Sequence, residues 1–207
     1  MPLWGTAHAA ATNKPKFLTT DEDSDYTRQD SYATQGGWAM RAGTPSQGND
    51  NTSAVPEIVV AIGDLAGSTD TTGLRAPTVT HMRFIKGTTA TTDLTAADST
   101  ARILVEITWD EAVTVVGSPT VVVANSNASG GGFGNYTLVY TATGSTANRK
   151  RFTLTSQSLG NTDVLTLGGA DNQLAGGTIS DTVRGGTSLA ASRVLSGLTA
   201  VAVTIAS

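Results

Sequence analysis

From Pro77 onward, apolar and polar positions alternate with a period of two, the mark of a half-buried β-strand. Val79, His81, Arg83 and Ile85 alternate with Thr78, Thr80, Met82, Phe84 and Lys86. Ile103, Val105, Ile107 and Trp109 share one face, with Arg102, Leu104, Glu106 and Thr108 on the other. Ala112 to Val116 and Thr120 to Ala124 flank a Gly117-Ser118-Pro119 turn. Tyr136, Leu138 and Tyr140, then Phe152 and Leu154, then the short apolar run Val164 to Leu167, and finally Val201, Val203 and Ile205 continue the series. Strand runs with turns about every 8–14 residues predict an all-β, Ig-like antiparallel β-sandwich over residues 77–207. Only Leu94 to Asp98 and Leu189 to Leu195 offer material for helical turns.

The first third reads differently. Between Met1 and Asn51 no period is sustained, and Pro2, Gly5, Pro15, Gly36-Gly37, Gly43, Pro45 and Gly48 interrupt the chain. Five of the eleven aromatic residues nevertheless lie there: Trp4, Phe17, Tyr26, Tyr32 and Trp38. Burying five rings does not offset the entropy of ordering the whole segment, so it is not expected to fold alone. It is also too aromatic for an ordinary disordered linker. The expectation is an extended N-terminal docking arm over residues 1–54, whose aromatics enter pockets on a partner or on neighbouring copies. Residues 55–76 follow as a short strand, Val55 to Gly63 with Pro56 at its start, and a Gly/Ser/Thr/Asp linker.

Composition sharpens this division. Of 207 residues, 35 are Thr, 17 Ser and 23 Gly, and charged residues make up 14%, which suits strands joined by small-residue turns and excludes helical bundles and coiled coils. Residues 1–76 carry five basic and nine acidic side chains, and residues 77–207 carry eight of each, so the net charge of −4 belongs to the first third. That balance argues against nucleic-acid binding, which needs clustered Lys and Arg. No run of 18 apolar residues suggests a membrane span. Cysteine is absent, which removes disulfides and thiolate metal sites. The opening Met1-Pro2-Leu3-Trp4-Gly5 lacks the basic and apolar regions of a secretory signal, so folding in a cytoplasm is expected.

Two resemblances attach to these residues. Ile107-Thr108-Trp109-Asp110-Glu111-Ala112-Val113-Thr114-Val115-Val116-Gly117-Ser118-Pro119 with Thr120 to Val123, followed by Tyr136 to Tyr140, Arg151 to Leu154 and Asn161 to Leu167, resembles bacterial Ig-like repeats of large surface proteins. It implies a fold over roughly residues 77–185 but little about function. The opening Met-x-Leu-Trp-Gly, the Lys14 to Leu18 stretch, the acidic patch, Gly37-Trp38 and Glu57 to Gly63 resemble virion structural proteins of tailed cyanophages and related marine phages. That resemblance implies a non-enzymatic capsid decoration or cement protein on the virion surface, with an arm on the major capsid protein and neighbouring copies of itself as partners. The alternatives are a neck, tail or fibre component, or a carbohydrate-binding adhesion module touching host-surface glycans.

Candidate chemistry is thin. His8 sits among alanines and His81 in a strand pattern, and no Gly-x-Ser-x-Gly elbow accompanies them. Asp110 and Glu111 are sequence neighbours, and on a strand they point to opposite faces, so they do not converge as a glycosidase pair; a solvated strand end is expected. Asp163, Asp171 and Asp181 lie in or beside turns without EF-hand spacing. Asp21, Glu22, Asp23 and Asp25 follow Thr20 as an acidic run suited to a helix start or a basic partner. Arg149-Lys150-Arg151 reads as a solvated loop or a contact for an acidic neighbour. Ser129 to Gly134 lacks the Lys-Ser/Thr of a phosphate loop and reads as a hairpin tip displaying Phe133. The expected set is therefore no catalytic residue, no metal and no cofactor, with Trp4, Phe17, Asp21, Asp23, Tyr26, Tyr32 and Trp38 as partner contacts and Phe133 as a tip contact.

Overall fold

The computed structural model describes residues 14–20, 27–41, 51, 53–67, 74, 76–86, 89–90, 93–95, 103–126, 134–154, 162–169, 174–182, 190–191 and 193–206. Strands dominate, and among the described residues the only helical piece is a 3-10 turn, Arg28–Asp30. The strands are β1 (Tyr32–Thr34), β2 (Gly37–Met40), β3 (Glu57–Ala61), β4 (Val79–Lys86), β5 (Thr89–Ala90), β6 (Asp93–Thr95) and β7 (Ile103–Trp109). They continue as β8 (Val113–Val116), β9 (Thr120–Asn125), β10 (Tyr136–Thr141), β11 (Arg149–Leu154), β12 (Val164–Leu167), β13 (Thr178–Asp181) and β14 (Val201–Ala206).

Nine strands form one sheet in the order β5-β4-β7-β11-β10-β9-β12-β14-β6, antiparallel throughout except for the parallel pair β14–β6. The successive strands β9, β10 and β11 form a meander, and β12 returns beside β9, which is a Greek key. Instead of separating into two sheets, this one curls until its ends approach, giving a nearly closed, barrel-like sheet. Met82 of β4 reaches across to Gly168, just after β12, where an added Cβ would fall 2.3 Å from its Cε. Two short strands close in sequence serve the two margins, β5 beside β4 on one side and β6 beside β14 on the other. The enclosed core holds Met82, Phe84, Val105, Ile107, Trp109, Leu138, Phe152, Leu165 and Val203 among others. Trp109 is fixed at its mouth by reciprocal bonds with Asn148, whose carbonyl accepts the Trp109 N–H at 2.8 Å and whose Nδ2 donates to the Trp109 carbonyl at 3.1 Å.

Three details depart from the alternation in the sequence. Thr80 is an extra residue in β4, because Val79 pairs with Trp109 while His81 pairs with Thr108. This bulge inverts the phase of the strand, so Val79, Met82 and Phe84 enter the core together while His81 and Arg83 face outward. Ala112 to Val116 does not form a hairpin with the strand that follows it. It pairs with β13 in a separate two-stranded ribbon, and Gly117, at φ +79°, turns the chain between the two structures. Of Leu94 to Asp98, expected to offer a helical turn, Leu94 and Thr95 belong to the short edge strand β6, and the rest lies outside the described residues.

The N-terminal third also departs from expectation. Residues 27–41 are not an extended arm: β1 and β2 form a hairpin, and β3 adds to β2, giving a three-stranded sheet that spans the boundary drawn at residue 54. Trp38, Ala33, Leu65, Ala66 and Leu74 close a second, small core beneath it. The Gly36-Gly37 pair, which reads as a breaker, sits at the hairpin bend: Gln35-Gly36 is the turn and Gly37 opens β2, paired with Thr34. Gly37 adopts φ +130°, and a Cβ there would sit 2.0 Å from the Val60 carbonyl oxygen. Gly37→Ala is therefore expected to cost at least ~2 kcal/mol through strain and backbone displacement. Hydrogen exchange should show protection lost across β2 and β3 while the amides of β7 and β11 stay protected.

Candidate functional site: a charged seam beneath the N-terminal segment

The strongest concentration of chemistry lies on the outer face of β7. Register dictates it: Glu106 is directly opposite Arg83 on β4 and directly opposite Arg151 on β11. Arg83 Nη2 is 3.2 Å from Glu106 Oε1, and the Nε atoms of Arg149 and Arg151 are 3.1 and 3.6 Å from Oε2. A fully buried carboxylate thus meets three guanidinium groups, an arrangement needed to offset the loss of its hydration. Arg149 extends the chain of charge, donating from Nη1 to Asp30 Oδ1 at 2.7 Å. Asp30 Oδ2 in turn accepts from the Thr27 N–H at 3.2 Å and the Thr27 hydroxyl at 3.0 Å, which sets the 3-10 turn. Gly144 passes so close over the Arg151 guanidinium that an added Cβ would sit 2.2 Å from its Nη1.

A second group of charges lies where the N-terminal segment meets the end of β7. The Ala33 N–H donates to the Asp110 carbonyl at 2.6 Å, and Ala33 forms a parallel bridge with Glu111. Asp110 Oδ1 accepts the Thr78 N–H at 2.6 Å, and the Asp110 N–H returns a bond to the Thr78 carbonyl at 3.1 Å. Burial pushes the Asp110 carboxyl up to about 6, although the Thr78 bond and the positive charge of Lys14 oppose the shift. Lys14 is buried as well, and its Nζ donates to the Gln29 carbonyl at 2.8 Å. Burial lowers its ammonium to about 8, against the pull of Asp110 and Asp30. Lys150 is also lowered to about 8 by burial, with its Nζ on the Thr146 carbonyl at 2.6 Å.

The residues named from sequence fall in different places. Tyr32 and Trp38 are buried within the chain itself, so their rings are not presented to a partner surface. Phe17 is 70% exposed. Trp4, Asp21, Asp23, Tyr26 and Phe133 lie outside the described residues, as do His8 and Asp171. Asp110 and Glu111 are buried rather than solvated, because the N-terminal segment covers the end of β7. The acidic neighbours of Arg149-Lys150-Arg151 belong to the same chain: Glu106 and Asp30. Among the described residues no three His, Asp or Glu side chains come together as metal ligands. No helix among them is long and apolar enough to cross a membrane.

The fold and seam define an all-β protein whose barrel-like sheet carries its own N-terminal segment on an ionic face. No family model, no curated protein and no solved structure matches the chain.

The seam yields two expectations. Glu106→Gln leaves three guanidinium groups facing a neutral amide, and should lower the unfolding free energy by about 3 kcal/mol in urea titrations. Stability should also depend on pH in two opposite limbs. The raised Asp110 makes the native state bind more protons than the unfolded chain between about pH 4 and 6, so stability falls as pH rises through that window. The lowered Lys14 and Lys150 make it bind fewer between about pH 8 and 10.5, so stability rises there. The Asp110 limb amounts to about 3 kcal/mol. Asp110→Asn, which still accepts the Thr78 N–H, should flatten the acid limb, and Lys14→Met should flatten part of the alkaline one.

Proposed function

We propose that this chain is a non-enzymatic structural protein of a tailed-phage virion, and specifically a capsid decoration protein with an Ig-like β-domain. The observation that carries this reading is the seam. Arg83, Glu106, Arg149, Arg151 and Asp30 are engaged with one another, and their effect is to fix a segment of chain against a sheet. A buried network of this kind orients and locks structure. The Greek-key order of β9 to β12 agrees with an Ig-like ancestry. The motifs around Trp4, Lys14 to Leu18, Gly37-Trp38 and Glu57 to Gly63 supply the virion part of the reading. Many weak contacts repeated over a symmetric shell would hold the protein in place by multivalency.

The test uses the full chain, because a truncation at Pro77 strips the cover from Glu106 and Asp110. Purified protein is mixed with empty capsids and sedimented, and its copy number in virions is measured by quantitative mass spectrometry. A decoration protein cosediments and is present at a copy number set by capsid symmetry. Presence in a few copies without capsid binding would move the assignment to a neck, tail or fibre part. Absence from virions, together with glycan binding by the free chain, would replace it with an adhesion module.

A further inference from the structure

Arg28 is the least expected arginine in the molecule. Its side chain runs back to the turn at residues 15–18 and serves three of its carbonyls: Nε donates to Pro15 at 3.2 Å, and Nη2 donates to Lys16 at 2.6 Å and to Leu18 at 3.2 Å. The turn closes on itself through the Leu18 N–H and the Pro15 carbonyl at 3.3 Å, and the Arg28 N–H donates to the Thr19 carbonyl at 2.7 Å. Lys14, Pro15 and Leu18 are buried on either side. Only Lys16 and Phe17 point out, and Phe17 is the one exposed aromatic among the described residues, at 70%. The Arg28 guanidinium thus orders the backbone of a turn whose tip is an exposed phenyl ring. It is what a preformed anchor needs, since a rigid aromatic loses little entropy on docking.

We propose that the Arg28-clamped turn is a docking knob that inserts Phe17 into an apolar pocket on a partner protein, with Lys16 against carboxylates at the pocket rim. A protein is favoured over a glycan because the carbonyls flanking the ring, those of Pro15, Lys16 and Leu18, are already engaged by Arg28 rather than left to accept from sugar hydroxyls. Lys16 is exposed beside the ring, and its ammonium complements an acidic rim. This inference rests on the virion reading for the identity of the partner, but not for the action of the knob.

The chain has no cysteine, so Phe17→Cys introduces a single thiol at a position where the native ring packs little. The variant is made in the producing cells and labelled with a maleimide as free protein, in the cells and in purified virions. Val116→Cys, at another exposed site, serves as the open control. Protection of residue 17 in cells and in virions, with full labelling of the free protein and the control, supports the knob and the virion assignment together. Protection in cells with the protein missing from virions keeps the knob and overturns the virion assignment. Full labelling in virions that contain the protein overturns the knob alone, and full labelling in cells with no virion incorporation overturns both. Where capsids bind the wild type, Phe17→Ala should weaken binding about 30-fold, Phe17→Trp should retain it, and Arg28→Gln should fall between them. Competition by soluble sugars, with loss of that competition in Phe17→Ala, would assign the ring to a glycan and overturn the protein partner.

Discussion

A carboxylate with no access to water sits in the middle of β7, and most of the molecule is arranged around it. Glu106 is tolerable there only because the strands on both sides place arginines opposite it and Arg149 arrives diagonally. Three cations around one anion leave an excess of positive charge, which Asp30 from the N-terminal segment reduces. The segment is therefore not an ornament on a finished barrel. Without it the guanidinium groups would regain water while Glu106 lost part of its shield, and Asp110 would no longer be covered. An apolar residue of similar volume at position 106 would pack at less electrostatic cost, but it would not specify which segment lies across the face.

The sheet handles its margins with equal economy. Nine strands in one layer would normally present two long edges, each open to pairing with another chain. Here both margins are finished by short strands close in sequence, Thr89–Ala90 on one side and Asp93–Thr95 on the other. The small sheet uses another device. Its edge strand β3 carries the irregularity, since Trp38 pairs with Val60 and Ala39 with Ile58, which leaves Val59 as the extra residue. A bulge on an edge strand disturbs the regular row of donors and acceptors that a second strand would need. Val55 and Ile58, although exposed, therefore lie along an edge poorly suited to strand addition.

Strand positions from β7 onward were largely legible, because period-two alternation needs only local sequence and one buried face. What the alternation could not reveal is which strand meets which. Val113 to Val116 reads as half of a hairpin through Gly117-Ser118-Pro119, yet its partner is β13, more than sixty residues later, a strand the pattern left unmarked. The β1–β2 hairpin was obscured for another reason. Tyr32-Ala33-Thr34 and Gly37-Trp38-Ala39-Met40 are short and mostly buried, so they show no alternation, and the Gly36-Gly37 pair at their Gln35-Gly36 turn is indistinguishable in sequence from a breaker. The seam was present as Arg83, Glu106, Arg149 and Arg151, each on the outward phase of its strand. Recognising it required register, which long-range pairing sets. Asp110 and Glu111 read as solvated because nothing near them in sequence foretells that Lys14 and Ala33 of the N-terminal segment lie against them.

A single path of contacts joins the buried carboxylate to the most exposed ring. Glu106 fixes Arg149, Arg149 fixes Asp30, Asp30 caps the 3-10 turn through Thr27, and that turn begins at Arg28, whose guanidinium holds the carbonyls of residues 15, 16 and 18. The first link is an ion contact, and those from Arg149 to Asp30, from Asp30 to Thr27 and from Arg28 to the carbonyls are hydrogen bonds, directional as well as attractive. Direction is what a flexible arm lacks. Had Phe17 hung on a free tail, docking would have required ordering the backbone first, at about 1–2 kcal/mol per residue. With the turn already held, the ordering cost near Phe17 has been met during folding. The interior electrostatics of β7 and the surface chemistry of the Phe17 turn are thus parts of one construction, in which a buried negative charge sets the position of an exposed apolar group.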